Sequence, residues 1–133
     1  MVNKTLLIFA AALLLLTACT HGIKPEALYG NWKYIKIDKP KSDDPTDTTS
    51  AADLATYAPY ISFTPKNELF IHWGGEIISH GTFTIAANDI NYTEQLTDGT
   101  KRTFPFYVSK LDDKTMVFET LDKNGSRVTA VRK

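Results

Sequence analysis

From Trp32 onward the chain breaks into eight short runs of alternating polar and apolar residues, spaced almost evenly by turn residues. Successive side chains of a strand point to opposite faces, so each run is a strand with one face toward a core. The runs are Trp32 to Ile37, Tyr60 to Thr64, Glu68 to Trp73, Ile77 to Ile85, Ile90 to Leu96, Arg102 to Lys110, Thr115 to Leu121 and Arg127 to Arg132. Between them lie Pro65-Lys66-Asn67, Gly74-Gly75-Glu76, Ala87-Asn88-Asp89, Asp98-Gly99, Asp112-Asp113 and Asn124-Gly125. Asp-Gly and Asn-Gly are the strongest short hairpin signals, because these residues tolerate positive φ. No helix of 3.6-residue period competes with this pattern, which predicts an all-β fold: an eight-stranded antiparallel meander closed into a barrel. One connection is long, Asp38 to Pro59, and Ala51 to Tyr57 within it suits a turn or two of helix.

Parity sets an expected register. Leu69, Ile71 and Trp73 share one face of their strand, and Ile77, Phe83 and Ile85 one face of the next. All six point inward only across an odd-numbered turn, which a three-residue Gly74-Gly75-Glu76 loop supplies. This register puts His72 opposite Ile78 and His80 opposite Phe70, on the outer face. Carried around the sheet, the inward set adds Ile61, Phe63, Ile90, Tyr92, Phe104, Phe106, Val108, Met116, Phe118, Val128 and Ala130. The first run is ambiguous, since Trp32 and Tyr34 share one face and Ile35 and Ile37 the other. A bulge near Tyr34 turns Trp32 and Ile35 inward together. Pro105 cannot donate to a ladder and is awkward within a strand.

The N-terminus is built differently. Lys4 precedes an uncharged apolar run from Leu6 to Leu16. That run is too short for a hydrocarbon layer of roughly 30 Å and fits the hydrophobic region of a signal peptide. Leu16-Thr17-Ala18-Cys19 follows, which resembles the lipobox of bacterial lipoproteins. The resemblance implies a lipoprotein signal peptide over 1–18, a lipidated tether over 19–28 and a barrel domain over 29–133. Cys19 would be the lipid attachment residue, carrying a covalent diacylglycerol and a fatty acyl group, and no other cofactor is expected. The other reading is an ordinary secretory signal with Cys19 a free thiol, as this is the only cysteine of the chain. Thr20 in place of an aspartate points, by resemblance to enterobacterial sorting, to the outer membrane, facing the periplasm. The 133 residues suffice for one domain, and a formal net charge of zero gives no electrostatic case for nucleic acid.

Eight meandering strands, a long first connection and Gly30-Asn31-Trp32 at the start of the first strand together resemble the lipocalins. The short lipocalin-like lipoproteins of Gram-negative bacteria are more similar still, over Leu28 to Arg132. This resemblance implies that Trp32 plugs one end of the barrel beneath Arg132, or less favourably Arg127. The alternative is that Arg132 is a solvated terminal charge. Phe63, Trp73, Phe83, Tyr92, Phe106 and Phe118 would line a ligand-binding interior, with Ser79 and Gly81 leaving room, or else simply form the core. The Asp38–Pro59 connection would be a lid over one end, or a surface insertion. The turn that lipocalins place before strand seven is not recognisable around Leu111 to Lys114, and the strands are short.

Little points to catalysis: there is no glycine-bracketed serine, no phosphate-cradling loop and, with Cys19 lipidated, no free thiol. His21 lies in the tether, and His72 and His80 lack a carboxylate at ligand spacing, so no metal is expected. Glu94 and Arg102 face each other near a rim as a structural pair. Phe70, Ile78, Tyr107 and Val117 point outward as elements of an apolar patch. Two functions stay open: a membrane-anchored, non-catalytic carrier of a small apolar or amphipathic ligand, and an interaction module with a filled barrel. The latter would be a periplasmic inhibitor or an accessory subunit partnering an envelope protein.

Overall fold

Eight antiparallel strands follow one another in chain order and close, the last pairing back onto the first. They are β1 (Gly30–Asp38), β2 (Tyr60–Phe63), β3 (Glu68–Trp73), β4 (Glu76–Ala86), β5 (Asp89–Gln95), β6 (Lys101–Leu111), β7 (Thr115–Thr120) and β8 (Arg127–Arg132). The computed structural model describes residues 22–44 and 46–133, so the expected signal peptide over 1–18, Cys19 and His21 lie outside the described residues. Among the described residues no helix is long and apolar enough to cross a membrane.

The alternation that defined the strands also fills the barrel. Ile61, Leu69, Ile90, Tyr92, Met116 and Ala130 are fully buried, one or more from most strands, as inward residues of a closed sheet must be. The start of β1, the end of β8 and the β2–β3, β4–β5 and β6–β7 turns gather at one end. The β1–β2 connection and the β3–β4, β5–β6 and β7–β8 turns gather at the other.

Three irregularities depart from simple parity. The β3–β4 turn has two residues rather than three: Trp73 pairs with Glu76, and Gly74 (φ 62°) and Gly75 (φ 83°) both take the positive φ of a mirror-image hairpin turn. A bulge restores the register, since Ile71 pairs with Ser79 but His72 with Ile77, leaving Ile78 unmatched. His72 therefore stands opposite Ile77 and not Ile78, while His80 faces Phe70 as the register requires. Ile77, expected inside, is exposed together with Ile78. In β1 the bulge falls at Ile35, between Tyr34 and Lys36. Trp32 and Tyr34 are both buried and the parity flips after them, so Ile37, not Ile35, packs against the core. A third bulge, between Val108 and Lys110, turns Leu111 toward Met116. Pro105 is accommodated because the β6–β7 ladder ends one residue away, at Phe106 and Thr120.

The long connection carries one helix, α1 (Ala51–Tyr57), capped by the Ser50 hydroxyl accepting from the Asp53 amide at 3.1 Å. It ends at Ala58 in the left-handed conformation, with the Ala58 amide bonded to Leu54 O. Leu54 is buried, anchoring the helix on the core, and Tyr57 stacks on Trp73 at 5.7 Å.

Candidate functional site

The two ends of the barrel have different chemistry. At the end holding the start of β1 and the end of β8, Trp32 is fully buried and its indole N–H donates to Leu28 O at 2.8 Å. The Arg132 guanidinium lies 4.2 Å above the indole ring. Its Nε donates to Asp113 O, its Nη1 to Tyr29 O and its Nη2 to Ala27 O, at 3.0, 2.7 and 2.9 Å. One planar cation thus ties the β6–β7 turn and the incoming chain across the tryptophan. Gly30, at φ 116°, provides the bend, with an Arg132 nitrogen 3.1 Å from where a Cβ would stand. Arg127 is occupied elsewhere, paired with Asp38 at 2.6 Å. This end is shut.

The middle of the barrel is filled. Phe63 meets Phe83 edge-on at 5.2 Å, Phe118 meets Phe106 at 5.4 Å and Tyr34 at 5.9 Å. Edge-to-face rings at these separations are close packing.

The opposite end is open, with a cavity of about 610 Å³ among β3, β4, β5, β6 and the β7–β8 turn. Its apolar walls include Ile71, Phe104, Phe106 and Leu121, and its polar groups include Ser79, Tyr92, Glu94, Arg102 and, at the edge, Asp122. Of the six aromatic residues expected to line an interior, Tyr92 and Phe106 do so. Phe63, Phe83 and Phe118 are core, and Trp73 sits at the rim against α1. The described residues of the Asp38–Pro59 connection contribute no wall, so the cavity opens beside them and not beneath them. Lys41 straps that connection to the β7–β8 turn by donating to Leu121 O at 2.8 Å.

A polar chain crosses the cavity. Arg102 Nε donates to Glu94 Oε1 at 2.6 Å, and Ser79 donates to Glu94 Oε2. Ser79 has one proton, and Glu94 takes it, so in the 2.6 Å contact with Tyr92 the phenol is the donor. Burial pushes the Tyr92 phenol above its ordinary range, only partly offset by its bond to Ser79, and so keeps that proton in place. Glu94 is buried, whereas the Arg102 side chain is 62% exposed and lies 5.2 Å from the Phe104 ring. The strands dictate this grouping: Glu94 pairs directly with Arg102 on one side and Gly81 on the other, two residues from Ser79. A Cβ on Gly81 would run into the Thr93 carbonyl, so glycine lets β4 and β5 approach here.

The Glu94–Arg102 pair was legible from register. Its extension through Ser79 to Tyr92, and the walls from Ile71, Phe104 and Leu121, were not singled out. Their signal was positional, as all but Leu121 are inward rungs at one end of their strands. A larger hollow of about 740 Å³ lies outside the barrel, between the segment Gly22 to Ala27 and the end of β6. Charged residues such as Lys24, Glu26, Lys110 and Asp112 border it. His72 stacks on Tyr60 at 4.0 Å on the outer face, and among the described residues no group of His, Cys, Asp and Glu could hold a metal ion. No family model matches the chain, and no curated protein matches it.

Proposed function

We propose that this protein is a lipid-anchored, lipocalin-like barrel of the bacterial envelope that holds a small amphipathic molecule in its open end without transforming it. The observation that carries the reading is the cavity of about 610 Å³, with apolar walls and a few convergent polar groups. That size and composition are typical of small-molecule sites, generally about 300–1,000 Å³. The closed eight-stranded meander fits a lipocalin-like fold. The anchor rests on the Leu16-Thr17-Ala18-Cys19 sequence, and an intact mass of the native chain tests it: a chain still starting at Met1 without lipid overturns it.

Binding is tested with the full chain in nanodiscs and the neutral dye N-phenyl-1-naphthylamine, whose fluorescence rises in apolar surroundings. Ile71→Trp fills the cavity with a large wall residue and removes the protein-dependent signal while the barrel stays folded. Partitioning into lipid is common to both proteins and cancels. Equal dye signal from the two proteins overturns the carrier reading.

A second reading, an interaction module for an envelope protein, draws on the exposed Tyr57, Ile77 and Ile78 at or beside the β3–β4 hairpin. Ile77→Asp with Ile78→Asp separates the readings, since it abolishes capture of a partner and leaves dye binding intact.

A further inference from the structure

We infer that the cavity selects amphiphiles whose head is an oxyanion, because Arg102 presents an unused two-pronged donor edge at the rim of an aromatic-walled cavity. The inference rests on the carrier reading and names the chemical class of its ligand.

Arg102 is the outermost inward rung of β6, directly opposite Glu94. A guanidinium has five N–H donors, and Glu94 takes only the one on Nε. The four on Nη1 and Nη2 have no protein partner among the described residues. Those two nitrogens form the planar fork that matches a carboxylate or a phosphate in bidentate fashion. The ion pair with Glu94 and the Phe104 ring at 5.2 Å hold the fork in place before a ligand arrives.

Depth decides which part of a ligand goes where. Below Arg102 the walls are Phe104, Phe106 and Ile71, and the hydroxyls at that depth, Ser79 and Tyr92, already spend their protons on Glu94 and on each other, so a charged head remains at the rim and the alkyl portion descends. A cationic head is poorly served. Both oxygens of the buried Glu94 already accept, one from Arg102 and one from Ser79. Asp122, at the edge of the same cavity, is the remaining carboxylate an amine could reach. Glu94 is a positioning residue and Arg102 the contact.

Displacement of N-phenyl-1-naphthylamine from the nanodisc-held full chain by four eight-carbon probes tests this. The expected order is octanoate and octyl phosphate ahead of octanol, with octylamine last. The relative rank of octanoate and octyl phosphate identifies which oxyanion the fork fits. Arg102→Met keeps much of the side-chain length, and weakens both anions about 5- to 10-fold while octanol changes less than about twofold. That range is the effect of a charged hydrogen bond, reduced for an exposed arginine. Arg102→Lys keeps the charge without the fork and falls between. Glu94→Gln, whose amide oxygen still accepts from Nε, retains the anion preference. Octanol binding as well as octanoate, or octylamine binding best, overturns the oxyanion inference and leaves the carrier standing. Failure of every probe and of the dye overturns both.

Discussion

Arg132 decides whether the terminal end of the barrel is locked or merely covered. Arg132→Met keeps an aliphatic stem over Trp32 but deletes three charged hydrogen bonds, to Asp113 O, Tyr29 O and Ala27 O, and a cation held 4.2 Å from the indole. A hydrogen bond to a charged group contributes about 1.5–3 kcal/mol when sheltered. Arg132 is open to solvent and the released carbonyls regain water, so about 0.5–1 kcal/mol each is the appropriate scale. The cation over the ring adds about 0.5–1 kcal/mol. The total is about 2–4 kcal/mol. With a urea slope of about 2 kcal/mol per molar, the middle of the range for small domains, the unfolding midpoint falls by about 1–2 M at unchanged slope. Arg127→Met is the internal comparison. It removes the half-exposed pair with Asp38 and costs about 1 kcal/mol. Equal effects of the two substitutions, or a loss below about 0.5 kcal/mol for Arg132→Met, would refute the lock and make Arg132 a solvated charge.

Gly81→Ala places a methyl against the Thr93 carbonyl in the β4–β5 ladder. It costs about 2–3 kcal/mol by overpacking and weakens dye binding, because Glu94 lies directly opposite; thermal unfolding with dye titration reads both, and a neutral result refutes the close approach. Burial, assisted by the nearby Lys133 ammonium, holds the His72 imidazole below its ordinary pKa of about 6.5. The folded protein then binds that proton less tightly than the unfolded chain. The His72 contribution is complete above the unfolded value and is lost as pH falls through the folded one. An NMR titration of the His72 ring gives a midpoint below 6.5, and Lys133→Met raises it; no movement rules out the charge effect.

Strand identity was legible throughout, because inward alternation survives outside the bulges and β3, β8 and α1 begin and end where the sequence pattern places them. Bulges were the limit. One unmatched residue leaves composition unchanged but reverses parity for the rest of a strand, which is how Ile37 displaced Ile35 from the interior and how Ile77 ended outside. The two-residue Gly74-Gly75 turn and the three-residue alternative are both sterically open to that sequence, and only the pairing of Trp73 with Glu76 separates them. The candidate site failed to declare itself for a different reason. Phe63, Phe83, Phe104 and Phe106 are all inward aromatics, and alternation says nothing about height along the barrel axis. Position around the barrel divides them as well, since Phe83, Tyr92 and Phe104 share one row of pairings and only Tyr92 and Phe104 line the cavity.

The end at which the cavity opens bears on how a ligand would arrive. The Ile23 amide bonds to Ala87 O at 3.0 Å, and Arg132 grips Ala27 and Tyr29, so the chain reaches the barrel at the shut end. From Ile23 back to Cys19 are four residues, roughly 14 Å at full extension. A lipid on Cys19, as proposed above, would therefore hold the shut end toward the bilayer and turn the open cavity away from it. A molecule entering past Arg102 would then come from the aqueous side or from a partner, not by sliding out of the leaflet that anchors the barrel. A polar, charge-bearing rim around an apolar pocket suits that approach, because an amphiphile crossing water arrives with its head hydrated and needs a fixed counter-charge at the entrance before its tail is buried.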